Sequence, residues 1–265
     1  MDLQRVVQEM RPVIYQAGRI AMDHFRNVKA ERKADRSFVT AADRAVEQFV
    51  REELHHRFPE HGVYGEESGH HRMQDAEYVW AIDPIDGTAP FVYELPVWCI
   101  SVGLIHRQKP LAGFVYLPVT DEFFWAVDGG PAYLNHRIIQ VAEPREMGRG
   151  SCIVAPSITF RGFEVRYEGR ALSFGSAAAH ICCVARGKIQ GGFLKQVRVY
   201  DIAASAMVLK AAGGVMRYLS GREVDLWELI NGDQTPEPFV IGHPQNAEQL
   251  RQLFFLREFV PEPPE

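Results

Sequence analysis

The 265 residues predict a layered α/β fold, of the α+β kind, on three observations. Residues 1–58 carry apolar positions at helical spacing, and residues 78–134 turn to runs of β-branched and aromatic residues. Beyond residue 150, short apolar runs alternate with helical patterns.

Each element follows from its own residues. Leu3, Val6, Val7, Met10, Val13, Ile14, Ala17, Ile20, Ala21 and Phe25 recur at steps of three and four, so the chain opens on a long amphipathic helix. A second helix runs from about Thr40 to Phe58, with Ala45, Val46, Phe49 and Val50 inward and Pro59 just past its end. Residues 78–82, 98–105, 111–116 and 122–127 are separated by turn formers and predict a meander of strands. After a polar connection at 143–150, strands at 152–155 and 189–193 alternate with helices at 176–186 and 202–212. Gly213 and Gly214 stop the last of these helices, and 215–218 resumes a strand. Asn246 stands where it caps a final amphipathic helix through Phe259, ahead of a frayed Pro- and Glu-rich tail at 261–265. No repeat and no low-complexity linker interrupts the chain, which predicts one domain over 1–265 with internal lobes at about 1–145 and 146–265.

Composition narrows the function classes. A hydrophobic share of 46% supports a substantial core, and a formal charge of −5 with mixed signs leaves no basic stripe for nucleic acid. No apolar run approaches a membrane span. Asp2, Gln4, Arg5 and Glu9 interrupt the start, so no export signal is visible. Cys99, Cys152, Cys182 and Cys183 lack metal-type spacing, and reduced thiols in a cytoplasmic protein are the expectation.

Residues 80–88, Trp-Ala-Ile-Asp-Pro-Ile-Asp-Gly-Thr, carry the chemistry. A turn needs Pro and Gly, but it has no need of two acids and a threonine directly after a buried strand. Asp83 and Asp86 stand three apart across Pro84, where neither helix nor strand geometry places them, so the bend has to converge them on positive charge, and a divalent cation fits. Gly87 lets backbone N–H groups approach a phosphate.

Other acids join this stretch: Asp43 after Thr40, Glu66 and Glu67 after Gly65, and Asp201 opening an alanine-rich helix. Brought together, they repel one another severely unless cations are present, and all-oxygen donors select Mg²⁺, Mn²⁺ or Ca²⁺ over zinc. Each also has a plainer explanation. Thr40 with Asp43 is a helix capping box, Asp201 an acid at the positive end of a helix, and Glu66 with Glu67 a solvated turn. His70 and His71, in a polar loop, are expected to be solvated.

Carboxylates for a metal and amides for a phosphate imply phosphoryl transfer to water. Haloacid-dehalogenase-type phosphatases also place Asp-Gly-Thr after a strand, with a nucleophilic Asp two residues before the Asp of that triplet. That position here is Pro84, so a covalent aspartyl-phosphate has no nucleophile and attack by a metal-activated water is favoured.

Together these segments resemble the inositol monophosphatase family, Mg²⁺-dependent and often lithium-sensitive phosphatases that include fructose-bisphosphatases, phosphoadenosine phosphatases and histidinol-phosphate phosphatases. Residues 39–43 match its first motif, 65–68 its second, 80–88 its central signature, and 200–204 with 212–215 its last, where tryptophan usually stands at Tyr200. The resemblance covers nearly the whole chain. It implies an αβαβα sandwich of the sugar phosphatase type, a homodimer, and two or three Mg²⁺ per site, with Mn²⁺ able to substitute. By the same resemblance Glu66, Asp83 and the Ile85 carbonyl hold one metal, Asp83, Asp86 and Asp201 a second, and a weaker third lies near Glu66. Asp43, Glu66 and Thr88 are the implied catalytic residues, with Thr88 and Asp43 a hydrogen-bonded pair that orients and deprotonates the water. The amides of Gly87 and Thr88 grip the phosphate, and Asp86, Gly175, Ser176, Ala177 and Asp201 contact substrate.

Two departures bear on the substrate. The inositol enzymes place an acid seven residues before the last metal aspartate, where it meets inositol hydroxyls; here that residue is Leu194, which cannot accept those bonds. Ala89 and Pro90 stand where threonine and asparagine are common. Lys195 and Arg198, close to this stretch, are candidates for a second anionic group of the substrate, or else form an exposed basic strand edge. The expected function is Mg²⁺-dependent hydrolysis of a small phosphate monoester: an inositol phosphate, sugar phosphate, histidinol phosphate or nucleotide 3′-phosphate. The alternative is a catalytically silent protein of the same fold that binds a phosphorylated metabolite.

Overall fold

The computed structural model describes residues 1–256 except 27, 29, 33–37, 72–75, 108, 158–162 and 232–233. Asp2 starts α1 (Leu3–His24) by accepting the Gln4 and Arg5 amides. The hairpin β1 (Ala30–Arg32) and β2 (Phe38–Thr40) leads into α2 (Ala41–Arg57), which begins at Thr40 and ends at Phe58 as the sequence predicts. The strands β3 (Gly62–Gly65), β4 (Gly69–His71) and β5 (Tyr78–Asp86) precede a short α3 (Thr88–Val92). The meander then runs through β6 (Cys99–His106), β7 (Lys109–Leu117), β8 (Glu122–Val127), β9 (Ala132–Leu134) and β10 (Arg137–Ile139).

The second half contains β11 (Cys152–Val154), β12 (Phe163–Val165), β13 (Arg170–Leu172), α4 (Ala177–Ala185) and β14 (Gly191–Leu194). It continues with α5 (Val199–Ala211), β15 (Val215–Tyr218), β16 (Phe239–Gly242), α6 (Pro244–Arg251) and β17 (Phe254–Leu256). The larger sheet has eight strands in the order β10-β9-β8-β7-β6-β5-β3-β4, and the smaller has five in the order β13-β11-β14-β16-β15.

Alternation along the strands produces the layers. Trp80 and Ile82 of β5 pack with Val6, Met10 and Val46 of α1 and α2, whereas Val79 and Ala81 face Ile181, Ile202 and Ala204 of α4 and α5. In β16, Phe239 and Ile241 join that same helical layer, while Val240 packs on Ala247 and Leu250 of α6. Helices, large sheet, helices, small sheet and helix thus stack as the αβαβα sandwich the sequence implies. Among the described residues no helix is long and apolar enough to cross a membrane.

One contact fixes the depth of the middle layer. Gly103 and Gly113 face each other across β6 and β7, and α5 lies directly on them. A Cβ at Gly103 would stand 2.6 Å from the Ala204 nitrogen, and one at Gly113 2.1 Å from the Ala204 carbonyl oxygen. Backbone meets backbone here, and only glycine leaves the room.

The structure corrects the expected C-terminus. The last helix ends at Arg251, capped at its start by His243 rather than Asn246, and the chain then turns into β17. Asn246 is fully buried; its Oδ1 accepts the Arg145 amide and its Nδ2 donates to the Gln190 carbonyl. Phe254 leaves helical spacing because it stacks on Phe193, ring centroids 4.4 Å apart, while β17 pairs with β12. Residues 257–259 of the expected helix and the tail at 261–265 lie outside the described residues. The short strands β1 to β4, β9, β10, β12, β13 and β16 also add to the expected set.

Candidate active site

A bulge brings the two central aspartates together. β5 continues through Asp86, with Asp83 opposite Ser101 and Asp86 opposite Cys99, so three steps along β5 span two along β6. In a regular strand, residues three apart point to opposite faces; the extra residue at the bulge returns Asp86 to the face of Asp83. Pro84, which has no N–H to give to a ladder, sits within the irregularity. The sequence expectation that strand geometry does not place these acids is therefore corrected, because a bulged strand does. Both point toward the layer of α4 and α5, and both are buried.

The start of α4 receives Asp86. Its Oδ2 accepts the Ser176 hydroxyl at 2.6 Å and the Ala178 amide at 2.5 Å, and its Oδ1 accepts the Ala177 amide at 3.1 Å. The Cys99 thiol approaches the same carboxylate at 3.8 Å. Ser176 also accepts the Ala179 amide at 3.1 Å, so one hydroxyl both caps the helix and holds the acid. Gly87, at φ 94°, turns the chain from Asp86 into α3 in a conformation that a side chain resists.

On α2, the capping box is formed. Thr40 donates its amide and hydroxyl to Asp43 Oδ2, at 2.8 and 2.6 Å, and accepts the Ala42 and Asp43 amides. Asp43 Oδ1 is buried without a hydrogen-bond partner. The expected bond between Thr88 and Asp43 is not made, since the Thr88 hydroxyl donates to the Ile85 carbonyl at 3.3 Å. Cap and available oxygen thus coexist on one carboxylate.

Glu66 follows β3, its amide donating to the Ile82 carbonyl at 3.1 Å, one residue before Asp83. Asp201 sits in the first turn of α5, where its Oδ2 accepts the Arg198 amide at 2.6 Å. Tyr200 beside it meets Tyr64 edge to face at 5.4 Å, and Tyr64 stacks on His70 at 4.1 Å. His70 is exposed as expected and contacts the Ile230 carbonyl at 2.8 Å, while the half-buried His71 meets Arg51 at 3.2 Å.

The electrostatics link these acids. Burial, and after it the carboxylates of Glu66, Asp86, Asp201 and Asp43, hold Asp83 well above the ordinary carboxylate range. Asp201 is raised well above that range by desolvation and by Asp86. Burial raises Asp86 despite the donors from Ser176, Ala178 and Ala177. Asp43 is pushed up to about 6, again chiefly by burial. Among the described residues no three acids, histidines or cysteines stand at metal-binding separation. The donor chemistry nonetheless fits a hard divalent cation: oxygen-only groups, each costly to ionise beside the others, together with an unpartnered buried oxygen on Asp43.

Of the remaining expected residues, Gly175 precedes the Ser176–Ala177 cradle with φ 78°. Leu194 is 1% exposed in the core. Lys195 lays its ammonium over the Phe163 ring at 5.2 Å, whereas Arg198 is close enough to Asp201 to draw its pKa down. Sequence reasoning passed over Glu47 and His180. Glu47 is buried one turn beyond Asp43, and the visible signal was an acid four residues on, within an apolar helix face. His180 accepts the Phe174 amide at 2.8 Å, just before Gly175, and nothing in its local sequence marked it.

The sequence pattern of the inositol monophosphatase family matches residues 2–249. The chain belongs to that family. It is 35% identical over 227 residues to inositol monophosphatase 3 of Solanum lycopersicum, covering 79% of this chain and 84% of that protein. It is 30% identical over 253 residues to the fructose-1,6-bisphosphatase/inositol-1-monophosphatase of Aquifex aeolicus (strain VF5), covering 91% and 95%. The extragenic suppressor protein suhB from Bartonella henselae has a similar crystal structure, with TM-score 0.84 and 25% identity over 94% of this chain and 98% of that one. As a member of a metal-dependent family the chain is a phosphatase, a hydrolase of phosphate monoesters.

Proposed function

We propose that this chain is a Mg²⁺-dependent phosphomonoesterase that acts in the cytoplasm, as a homodimer, on a small phosphorylated metabolite. The observation that carries the reading is Asp83, which shares a strand face with Asp86 and whose proton affinity is raised first by burial and then by the carboxylates of Glu66, Asp86, Asp201 and Asp43. Such a group is stable as an anion only beside positive charge. Glu66, Asp83, Asp86, Asp201 and the Ile85 carbonyl would hold two or three Mg²⁺, with Mn²⁺ able to substitute. When bound, the cation acidifies water and offsets charge on the phosphoryl oxygens.

The protein's own groups do the rest. Asp43, whose Oδ1 is buried and unpartnered, would take up the proton of the attacking water, and Thr88 would orient that water once its hydroxyl leaves the Ile85 carbonyl. Asp43 is ionised for this above about pH 6. The Gly87 and Thr88 amides hold the phosphate, while Gly175, Ser176 and Ala177 border the substrate. Proline at position 84 supports direct hydrolysis without an aspartyl-phosphate. The bond from Ser176 to Asp86 supports the two lobes, at about 1–145 and 146–265, acting as one domain.

Leu194, sealed in the core, offers no acceptor where the inositol enzymes hold inositol hydroxyls, which weighs against inositol phosphate and leaves sugar, other polyol, amino-alcohol or nucleotide phosphates. Arg198, beside Asp201, is better placed than Lys195 for a second anionic group. The test is phosphate release from inositol phosphate, fructose bisphosphate, histidinol phosphate and phosphoadenosine substrates, with Mg²⁺, with EDTA and with lithium. Mg²⁺-dependent release that Asp86→Asn abolishes is expected, and release that persists in EDTA overturns the metal role. No release from any ester, with Mg²⁺ still bound, supports the silent binding protein instead. A preference for inositol phosphate overturns the inference from Leu194.

A further inference from the structure

Glu47 is an acid on the inward face of α2, 2% exposed, among Ala42, Val46, Val50 and Leu54. A buried carboxylate is costly unless hydrogen bonds satisfy it. Its two oxygens are spent on two successive backbone amides. Oε2 accepts the Glu67 N–H at 2.7 Å, and Oε1 accepts the Ser68 N–H at 2.8 Å. The preceding amide, that of Glu66, is held by the Ile82 carbonyl at 3.1 Å. Three consecutive amides are therefore pinned, one by the strand that carries Asp83 and two by the helix that carries Asp43.

Gly65 belongs to the same device. A Cβ there would lie 2.5 Å from both the carboxyl carbon and Oε1 of Glu47, so the carboxylate reaches the loop only because position 65 is bare. Asp43 and Glu47, one turn apart, extend from a single rigid helix. One points an unpartnered oxygen inward, and the other grips the backbone that presents Glu66.

We propose that Glu47 is a positioning residue for Glu66: its carboxylate clamps the 66–68 backbone so that Glu66 and Asp83 face the same cation. This rests on the reading that Glu66 and Asp83 hold Mg²⁺. A glutamine at 47 keeps one acceptor and turns an NH₂ group toward the other amide, so the clamp is half lost with little change of volume.

The full chain is tested as Glu47→Gln and, independently, as Gly65→Ala, which displaces the carboxylate without removing it. Mg²⁺ affinity by calorimetry should weaken about 10- to 100-fold in both, the usual cost of losing a group that orients a metal ligand. Amide hydrogen exchange should accelerate at Glu67 and Ser68 while β5 stays protected, and the substrate KM at saturating Mg²⁺ should not change. A purely structural role moves the melting temperature without this selective pattern. Mg²⁺ affinity within about twofold of wild type, in either variant with those amides exposed, overturns the clamp. A wild-type chain that binds no Mg²⁺ overturns the parent reading and the clamp with it, a result distinct from failure of the variants alone.

Discussion

Ser176 donates its hydroxyl to Asp86 Oδ2 at 2.6 Å, across 90 positions of sequence. The acid lies at the end of β5, and the hydroxyl caps a helix of the second half, so one bond joins a candidate metal ligand to the other side of the molecule.

Ser176→Ala removes that donor and the cap to the Ala179 amide together. The expected cost is about 1–2 kcal/mol of stability, read as a lower urea midpoint. Phosphate release should fall about 10-fold or more as Asp86 loses its orientation. Unchanged release in a variant with a lowered midpoint would reduce Ser176 to a cap.

Proton linkage gives a second test. Asp43, Asp83, Asp86 and Asp201 all have raised proton affinity in the folded chain. A carboxyl raised by folding contributes stability that is fully present below its unfolded value and is lost as pH rises through its folded value. For Asp43 that window runs from 3.8 to about 6, on the order of 3 kcal/mol. Mg²⁺ should therefore raise the melting temperature more at about pH 7.5 than at about pH 5. Asp83→Asn should raise the melting temperature of the EDTA-treated protein at the higher pH and erase the gain from Mg²⁺. A lower melting temperature for that variant in EDTA would refute the account based on repulsion.

His180 has the opposite sign. Burial lowers its imidazole to about 4, and its Nε2 accepts the Phe174 amide. A histidine lowered by folding leaves stability intact above its unfolded value, 6.5, and withdraws it as pH falls toward about 4. The full effect is on the order of 3 kcal/mol. His180→Gln should flatten the acid limb of a plot of unfolding free energy against pH, compared with wild type over the same range. Parallel curves would mean that His180 does not titrate in the folded chain as its burial requires.

Much of the fold was legible where local pattern and burial agree. The apolar periodicity of α1, the Thr40 start of α2 and the Ser176 start of α4 needed no distant partner to be read. β17 was not legible, because Phe254 and Leu250 keep a helical spacing and only the remote Phe193 and β12 pull the chain into a strand. At the site, the acids were recognisable by type and order. The face shared by Asp83 and Asp86 was not, since it depends on the register of β5 against β6. Glu47 escaped notice for a related reason: the amides it holds lie 20 and 21 residues away.

The seat of α5 on Gly103 and Gly113 has a bearing on how damage would show itself. Asp201 projects from the first turn of a helix whose height above the sheet is set by main chain packed on main chain, with nothing larger than the Ala203 methyl group beside the contact. That contact works as a mechanical stop. A single methyl group at either glycine, deep under the helix and away from any bound ester, would lift the whole rod and carry Asp201 with it. Misalignment of the reaction centre can thus originate at a buried place well removed in sequence from every candidate ligand.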